Sequence, residues 1–342
     1  MSTIKQIAKL AGVSRGTVDR VLNNRGAVNP DTAKKVREIA KAMNYSPNRA
    51  GKTLAVKKKQ LKFGYILFSS TTSNPFFEDV VRGIKSRADT LLEFGVTVEI
   101  RYATIDDPTL QANFIDELIA LGIDGLVIMP INHPIVVDKI KQLTSSGFPV
   151  VTANSDIPNC GRIAYVGSDY YKSGETAAGL MGLITGANAN IGIIIGSPLV
   201  LCHSERVAGF TNYVTEHFPN MHIVDKVINN DDDLDSFCVT KKLLMDYPAI
   251  DALFLAAAGV YGACRAVKDL GLEHKITIVS YDATQTTIEL LKDGIISATI
   301  AQQPCIQGSK PLDILLDYIG MDIKPDNEFY HTEIEIKIKE NI

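Results

Sequence analysis

The sequence predicts two fold classes in one chain: an all-α head over residues 1–46 and, from residue 61 onward, an α/β body of two parallel, doubly wound sheets arranged as two lobes. Three observations point there. Positive charge sits at the front, where residues 1–60 hold 14 Lys or Arg against Asp19, Asp31 and Glu38, a net of +11 that leaves −15 on the rest of a chain totalling −4. Apolar residues in the front recur at helical spacing, whereas the remainder alternates short β-branched runs with helical patterns. At 342 residues the chain also exceeds what one core organises.

The head begins with Thr3 and Gln6 spaced as a capping box, followed by Ile4, Ile7, Ala8 and Ala11 on one helical face. Gly12 supplies a sharp turn, Ser14 caps a second helix, and Val18, Val21 and Leu22 give that helix its inner face. Asn29-Pro30 opens a third helix, with Val36, Ile39, Ala40 and Met43 inward, which stops before Tyr45-Ser46-Pro47. Two short helices across a glycine turn, braced by a third, form a helix-turn-helix unit, and the second helix of such a unit enters the DNA major groove. Arg15 and Arg20 then donate bidentately to guanine, while Ser14, Thr17 and Asn23 suit phosphates or base edges. The same pattern also fits a three-helix protein-interaction module with solvated arginines. A basic stretch, residues 47–60, links head to body.

In the body, FGYILF precedes a helix from about Phe76 to Glu93, then come VTVEIRY, DGLVIM and FPVVTA with helices between them. The alternation resumes with IGIII, DALFLA, KITIVSY and ISATIA. Continuous β-branched runs read as buried parallel strands, and the length calls for two sheets with a cleft between them.

Several chemistries find no support. No apolar run approaches the roughly 18 residues of a membrane span, and the N-terminus offers no apolar leader segment, so a cytoplasmic location is expected. Cys160, Cys202, Cys238, Cys264 and Cys305 lack metal or disulfide spacing and are expected to be plain buried thiols. Phosphate-binding glycine loops and nucleophile elbows are missing, and Asp231-Asp232-Asp233-x-Asp235 reads as a helix cap rather than a calcium loop. No cofactor and no catalytic residue is expected.

The run from Ile4 to Asn48 resembles the DNA-binding head of the lactose-repressor (LacI/GalR) family, whose hallmark is AGVS-x-x-TVSRVLN followed by NY-x-PN. The resemblance implies that Arg15, Gly16 and Arg20 read an operator, that Thr3, Ser14, Thr17 and Asn23 hold its backbone, and that Asn48 closes the DNA-binding set. It further implies a linker that folds on DNA and wedges Leu54 into the minor groove, and a homodimer on a pseudo-palindromic operator. Asp19 departs from the family's Ser, and Gly16 has no side chain to read with, which shifts base choice toward Arg15 and Arg20.

Segments of the body, among them SNPFFEDVVRGIKSRA, FPVVTANSD, SERVAGF and VSYDATQTTIELLKDG, resemble the periplasmic sugar-binding-protein fold, ribose-type binders especially. The resemblance implies one lobe of residues 61–168 and 303–331 and another of 169–302 and 332–342, with chain crossings near Ser168, Gln302 and Thr332. It implies an effector site of Asn74, Phe76, Phe77, Asn154, Arg206, Asp282 and Gln302, each at a strand end or in the following loop. Asn154-Ser155 stands where ribose binders have Asp-Arg, and Ala257-Ala258 stands where they have an Asn, with His203, Ser204 and Tyr261 as new polar candidates. These departures point away from ribose itself but keep a sugar or polyol. The expected function is a sequence-specific transcription regulator, a repressor, controlled by that ligand. A transport receptor would share the body but need a secretory signal, and a sugar-acting enzyme would need an acid/base constellation that the sequence does not assemble.

Overall fold

The computed structural model describes residues 4–22, 28–43, 56–69 and 74–342. In the head, α1 (Ile4–Ala11), α2 (Arg15–Leu22) and α3 (Pro30–Ala42) enclose Ile7, Ala8, Ala11, Val18, Val21, Val36 and Ala40. Gly12 turns the chain at φ +70°, and the Val13 N–H returns to the Ala8 carbonyl at 3.0 Å. The Ser14 hydroxyl accepts from the Thr17 N–H at 3.1 Å, and the Asn29 side chain accepts from the Asp31 N–H at 2.9 Å, so both caps form.

The body has two six-stranded sheets. The first comprises β1 (Leu61–Phe68), β2 (Val96–Ala103), β3 (Gly125–Ile128), β4 (Val150–Ala153), β5 (Ala164–Gly167) and β11 (Phe329–His331), in the order β11-β5-β4-β3-β1-β2 and parallel throughout. Its helices are α4 (Phe76–Leu92), α5 (Pro108–Ala120), α6 (Pro134–Ser145) and α12 (Pro304–Leu315), the last running into a π turn, Leu316–Gly320. The second sheet comprises β6 (Asn188–Ile195), β7 (Asn220–Ile228), β8 (Ala252–Leu255), β9 (Thr277–Tyr281), β10 (Ala298–Ala301) and β12 (Glu335–Lys337), ordered β12-β10-β9-β8-β6-β7. Around it lie α7 (Tyr170–Thr185), α8 (Leu201–His217), α9 (Asp233–Asp246), α10 (Val260–Asp269) and α11 (Gln285–Lys292).

One strand departs from the all-parallel expectation: β12 pairs antiparallel with β10, Ile336 opposite Ile300. It arrives directly from β11 in the other sheet, without the crossover helix that a parallel neighbour requires. Burial on both faces explains the continuously apolar central strands: β3, β4 and β8 have no exposed residue. In the second sheet Phe210 stacks on Phe254 at 4.2 Å to fill the α7–α8 side, and Leu243, Val267 and Leu290 fill the other. Cys160, Cys202 and Cys264 are buried, but Cys238 and Cys305 are exposed, contrary to expectation, because they fall on outward helix faces. Among the described residues no helix is long and apolar enough to cross a membrane.

Candidate nucleic-acid interface and ligand cleft

The head buries Val18 and Val21 of α2, which leaves Arg15, Gly16 and Arg20 exposed on the opposite side. Arg20 Nε donates to the Gly16 carbonyl at 3.2 Å, fixing the stem of that side chain along the first turn. Ser14 and Thr17 share a hydroxyl contact of 3.0 Å at the helix start, beside the positive end of the helix, where a phosphate is favoured. Thr3, Asn23, Asn48 and Leu54 lie outside the described residues.

The cleft runs between the lobes. Phe68, Asn74, Phe77 and Asp106 from the first lobe and Ser197, Asn230 and Asp231 from the second bound about 520 Å³ of it. Beside it, Phe76, Asp282, Gln302 and Gln303 border about 210 Å³. Asn74 also faces Tyr261, Tyr281 and Asp282 across a narrower part. Phe77 packs edge-on against both Phe68 and Phe76, with centroids 5.6 Å and 5.3 Å away, giving the first lobe an aromatic wall.

Both lobes turn a polar residue out of a strand end by one device, and of the two Asp282 borders the cleft while Asn154 is buried behind it. Asn154 follows β4 at φ +57° and donates its N–H to the Val166 carbonyl, while Asp282 follows β9 at φ +67° and donates to the Ile300 carbonyl. Asn and Asp tolerate the left-handed region best among residues with a side chain, so each strand end turns its side chain out of the sheet. From there a chain of hydrogen bonds joins the lobes. Gln302 Nε2 donates to the Asp282 carboxylate at 2.7 Å, Gln307 Nε2 donates to the Gln302 carbonyl at 2.7 Å, and Asn154 Nδ2 donates to Gln307 Oε1 at 3.0 Å. Asn154 Nδ2 also reaches the Tyr170 hydroxyl at 3.1 Å. Burial raises the Asp282 carboxyl above its ordinary value, opposed by the nearby Arg206 charge and the Gln302 amide.

Arg206 does not follow the expected strand-end rule: it lies on α8 and is 3% exposed. Its guanidinium is sandwiched between Tyr281 at 3.9 Å and Tyr170 at 4.8 Å, and Nη1 donates to the Ala256 carbonyl at 2.9 Å. Its buried Nε has no hydrogen-bond partner in the structure. Of the additional polar candidates, Tyr261 borders the cleft, Ser204 faces solvent, and His203 is buried. The His203 Nδ1 lies 3.2 Å from the Ser197 carbonyl and Nε2 3.6 Å from Asp231, and burial holds the imidazole below its usual value despite that carboxylate. Asp231 accepts from the Ser197 N–H, whereas Asp232 performs the capping of α9. The sequence reading did not single out Asp231, which borders the cleft, or Gln307, which is buried and bonded to Asn154 and Gln302. Among the described residues no group of three or more His, Cys, Asp or Glu is placed to hold a metal.

Residues 64–321 match the model of a periplasmic binding protein domain, and residues 3–48 match that of bacterial regulatory proteins of the lacI family. A ribose import binding protein from Bacillus subtilis is 29% identical over 73% of this chain and 79% of its own length. A catabolite control protein A from Priestia megaterium is 27% identical over 83% of each chain, and a transcriptional repressor PurR from Actinobacillus pleuropneumoniae is 26% identical over 98% of each. Among solved structures, a solute-binding protein from Burkholderia graminis in complex with D-arabinose superposes with TM-score 0.76 at 25% identity, covering 82% of this chain and 96% of that one.

Proposed function

Since the chain belongs to the periplasmic binding protein domain family through its body and to the lacI family of bacterial regulatory proteins through its head, and is thus a DNA-binding transcription repressor with a ligand-binding domain, we propose that a sugar or polyol held between the lobes sets its grip on DNA. Arg206, Asn154, Asp282 and Gln302 hold the ligand's hydroxyls, and Phe76, Phe77 and Tyr281 cover its C–H faces, with Asn74 at the rim. The observation that carries this conclusion is the amide chain from Asn154 to Asp282, because it links the two lobes at the crossing near Gln302, where Asp282 and Gln302 border the cleft. A ligand that replaces or tightens those bonds favours one lobe arrangement over the other, and it shifts DNA affinity only by that difference.

On the nucleic-acid side, Arg15 and Arg20 read bases, Ser14 and Thr17 hold phosphate, and Thr3, Asn23 and Asn48 help fix the backbone. Leu54 enters the minor groove at the centre of a pseudo-palindrome gripped by two copies of the chain. The moving bodies are residues 61–168 with 303–331, and 169–302 with 332–342. The protein acts in the cytoplasm and by binding alone, without a catalytic step. The test is a thermal-shift screen of the full chain against neutral sugars, inositols and sugar phosphates, followed by duplex binding with and without each hit. A midpoint rise together with changed duplex affinity is expected. Salt-insensitive or undetectable attraction to duplex DNA sinks the regulator, and a flat screen sinks the sugar.

A further inference from the structure

Two helices of the first lobe reach from the cleft to the end of the segment that joins head and body. Their first turns lie at the cleft: Phe76 and Phe77 open α4, and Pro304 and Gln307 open α12. Between those ends the two run as one unit. A β-carbon on Gly83 would overlap the Cys305 carbonyl, and one on Gly308 would overlap the Val80 carbonyl, so the backbones are in direct contact at two levels. Further along, Arg87 Nε pairs with Asp313 at 2.6 Å. Backbone contact without intervening side chains leaves little freedom to slide, and 17 residues of helix and π turn, Pro304 to Gly320, span roughly 25 Å.

The far end carries the chain that comes from the head. Val56 is 1% exposed and packs into the first lobe's core, where a β-carbon on Gly320 would lie 3.3 Å from its methyls. Lys59 Nζ donates to the Ile319 carbonyl at 2.8 Å and to that of Gly320 at 3.3 Å, at the carbonyl-rich end where a cation is favoured. On the α4 side, Gly95 at φ +71° brings its Cα beneath the Lys57 carbonyl, and a β-carbon there would lie 2.8 Å from that oxygen. Thus residues 56–60 rest on the ends of both helices.

We propose that α4 and α12 form a single strut that converts rearrangement of the Gln302–Gln307–Asn154 amides into displacement of residues 56–60, with Lys59 as the positioning residue that clamps the linker to it. The inference rests on the proposed cleft-controlled DNA binding, and it assigns the coupling to particular residues. A wire of neighbours is not itself evidence of coupling, so the proposal stands on the exchange measurement that asks whether loosening one end loosens the other.

The measurement is hydrogen–deuterium exchange on the full chain, without DNA or ligand, comparing wild type with Gln307→Leu at one end and Lys59→Met at the other. Coupling is reciprocal, so Gln307→Leu is expected to speed exchange of residues 56–60, and Lys59→Met that of residues 302–307, each by about threefold or more. Either variant loosening only its own end overturns the strut. Lys59 is at the surface, so Lys59→Met gives an answer even where Gln307→Leu disturbs folding. Because neither DNA nor sugar is present, a failed duplex-binding experiment and a failed strut are read separately.

Discussion

The Arg206 guanidinium lies 3.9 Å from the centre of the Tyr281 ring and is fastened from the side by the Ala256 carbonyl. A planar, charged fork held flat against an aromatic face and kept out of water is ready to donate without losing side-chain freedom on binding. Arg206→Lys keeps the charge but not the plane. We expect it to weaken binding of any sugar found in the screen by about tenfold or more, while duplex binding by the head persists. An unchanged thermal shift would place recognition elsewhere.

Asp282 gives the second lobe a pH signature. Its carboxyl is raised by burial, so the folded state holds the proton more tightly than the unfolded chain does. The resulting stabilisation is fully present below the ordinary aspartate value of 3.8 and is lost as pH rises through the raised one. Asp282→Asn should therefore be more stable than wild type at neutral pH and lose that advantage toward the acid end. Parallel melting curves across pH would expose a wrong sign.

In the first lobe, Arg162 grips Asp156 through two bonds of 2.7 Å and 2.6 Å, reaches Glu328, and lies 4.9 Å over the Phe329 ring. The pair closes the loop between β4 and β5, and through Glu328 and Phe329 Arg162 ties that loop to the late-arriving β11. Asp156→Ala removes the buried partner of a cation at 5% side-chain exposure, leaving it only the exposed Glu328, and should cost about 3 kcal/mol in chemical denaturation. A loss below about 1 kcal/mol would mean the pair is solvated in solution.

For the head, Asn29→Ala removes the acceptor for the Asp31 and Thr32 N–H groups and should destabilise it by about 1 kcal/mol, whereas Asn29→Asp is nearly neutral. Circular dichroism of the full chain during heating distinguishes the two.

On DNA, Arg15→Ala should lower affinity for the preferred duplex by about 1–3 kcal/mol and flatten discrimination at one base pair. Leu54→Ala should reduce preference for the palindrome more than general attraction to duplex. Equal losses on specific and random DNA would argue that Arg15 meets only phosphate and that Leu54 is no wedge.

The elements most legible in the sequence were those whose burial is uniform. IGIII and DGLVIM read as strands because both faces are covered, and the head helices read from spacing and caps. By contrast, β7 was missed because it is an edge strand with exposed residues interleaved, and β11 because it is only three residues long. Asn154, Asp282 and Gln302 were findable as polar residues at strand ends. Gln307 was not, since it sits on a helix stripe with Gly308, Pro311 and Leu312, where a polar residue stays buried only through partners on other elements. Arg206 was identified by resemblance but assigned the wrong kind of position, because a long side chain on α8 reaches what a strand-end residue was expected to touch.

Neither sheet is built from one stretch of chain: β11 completes the first and β12 the second, both within the last fourteen residues. During synthesis the head is therefore finished some three hundred residues before either lobe acquires its final edge. A ribosome stalled near residue 300 would expose a mature DNA-binding end on an incomplete sensor, so quality control of unfinished chains bears directly on whether the operator stays responsive.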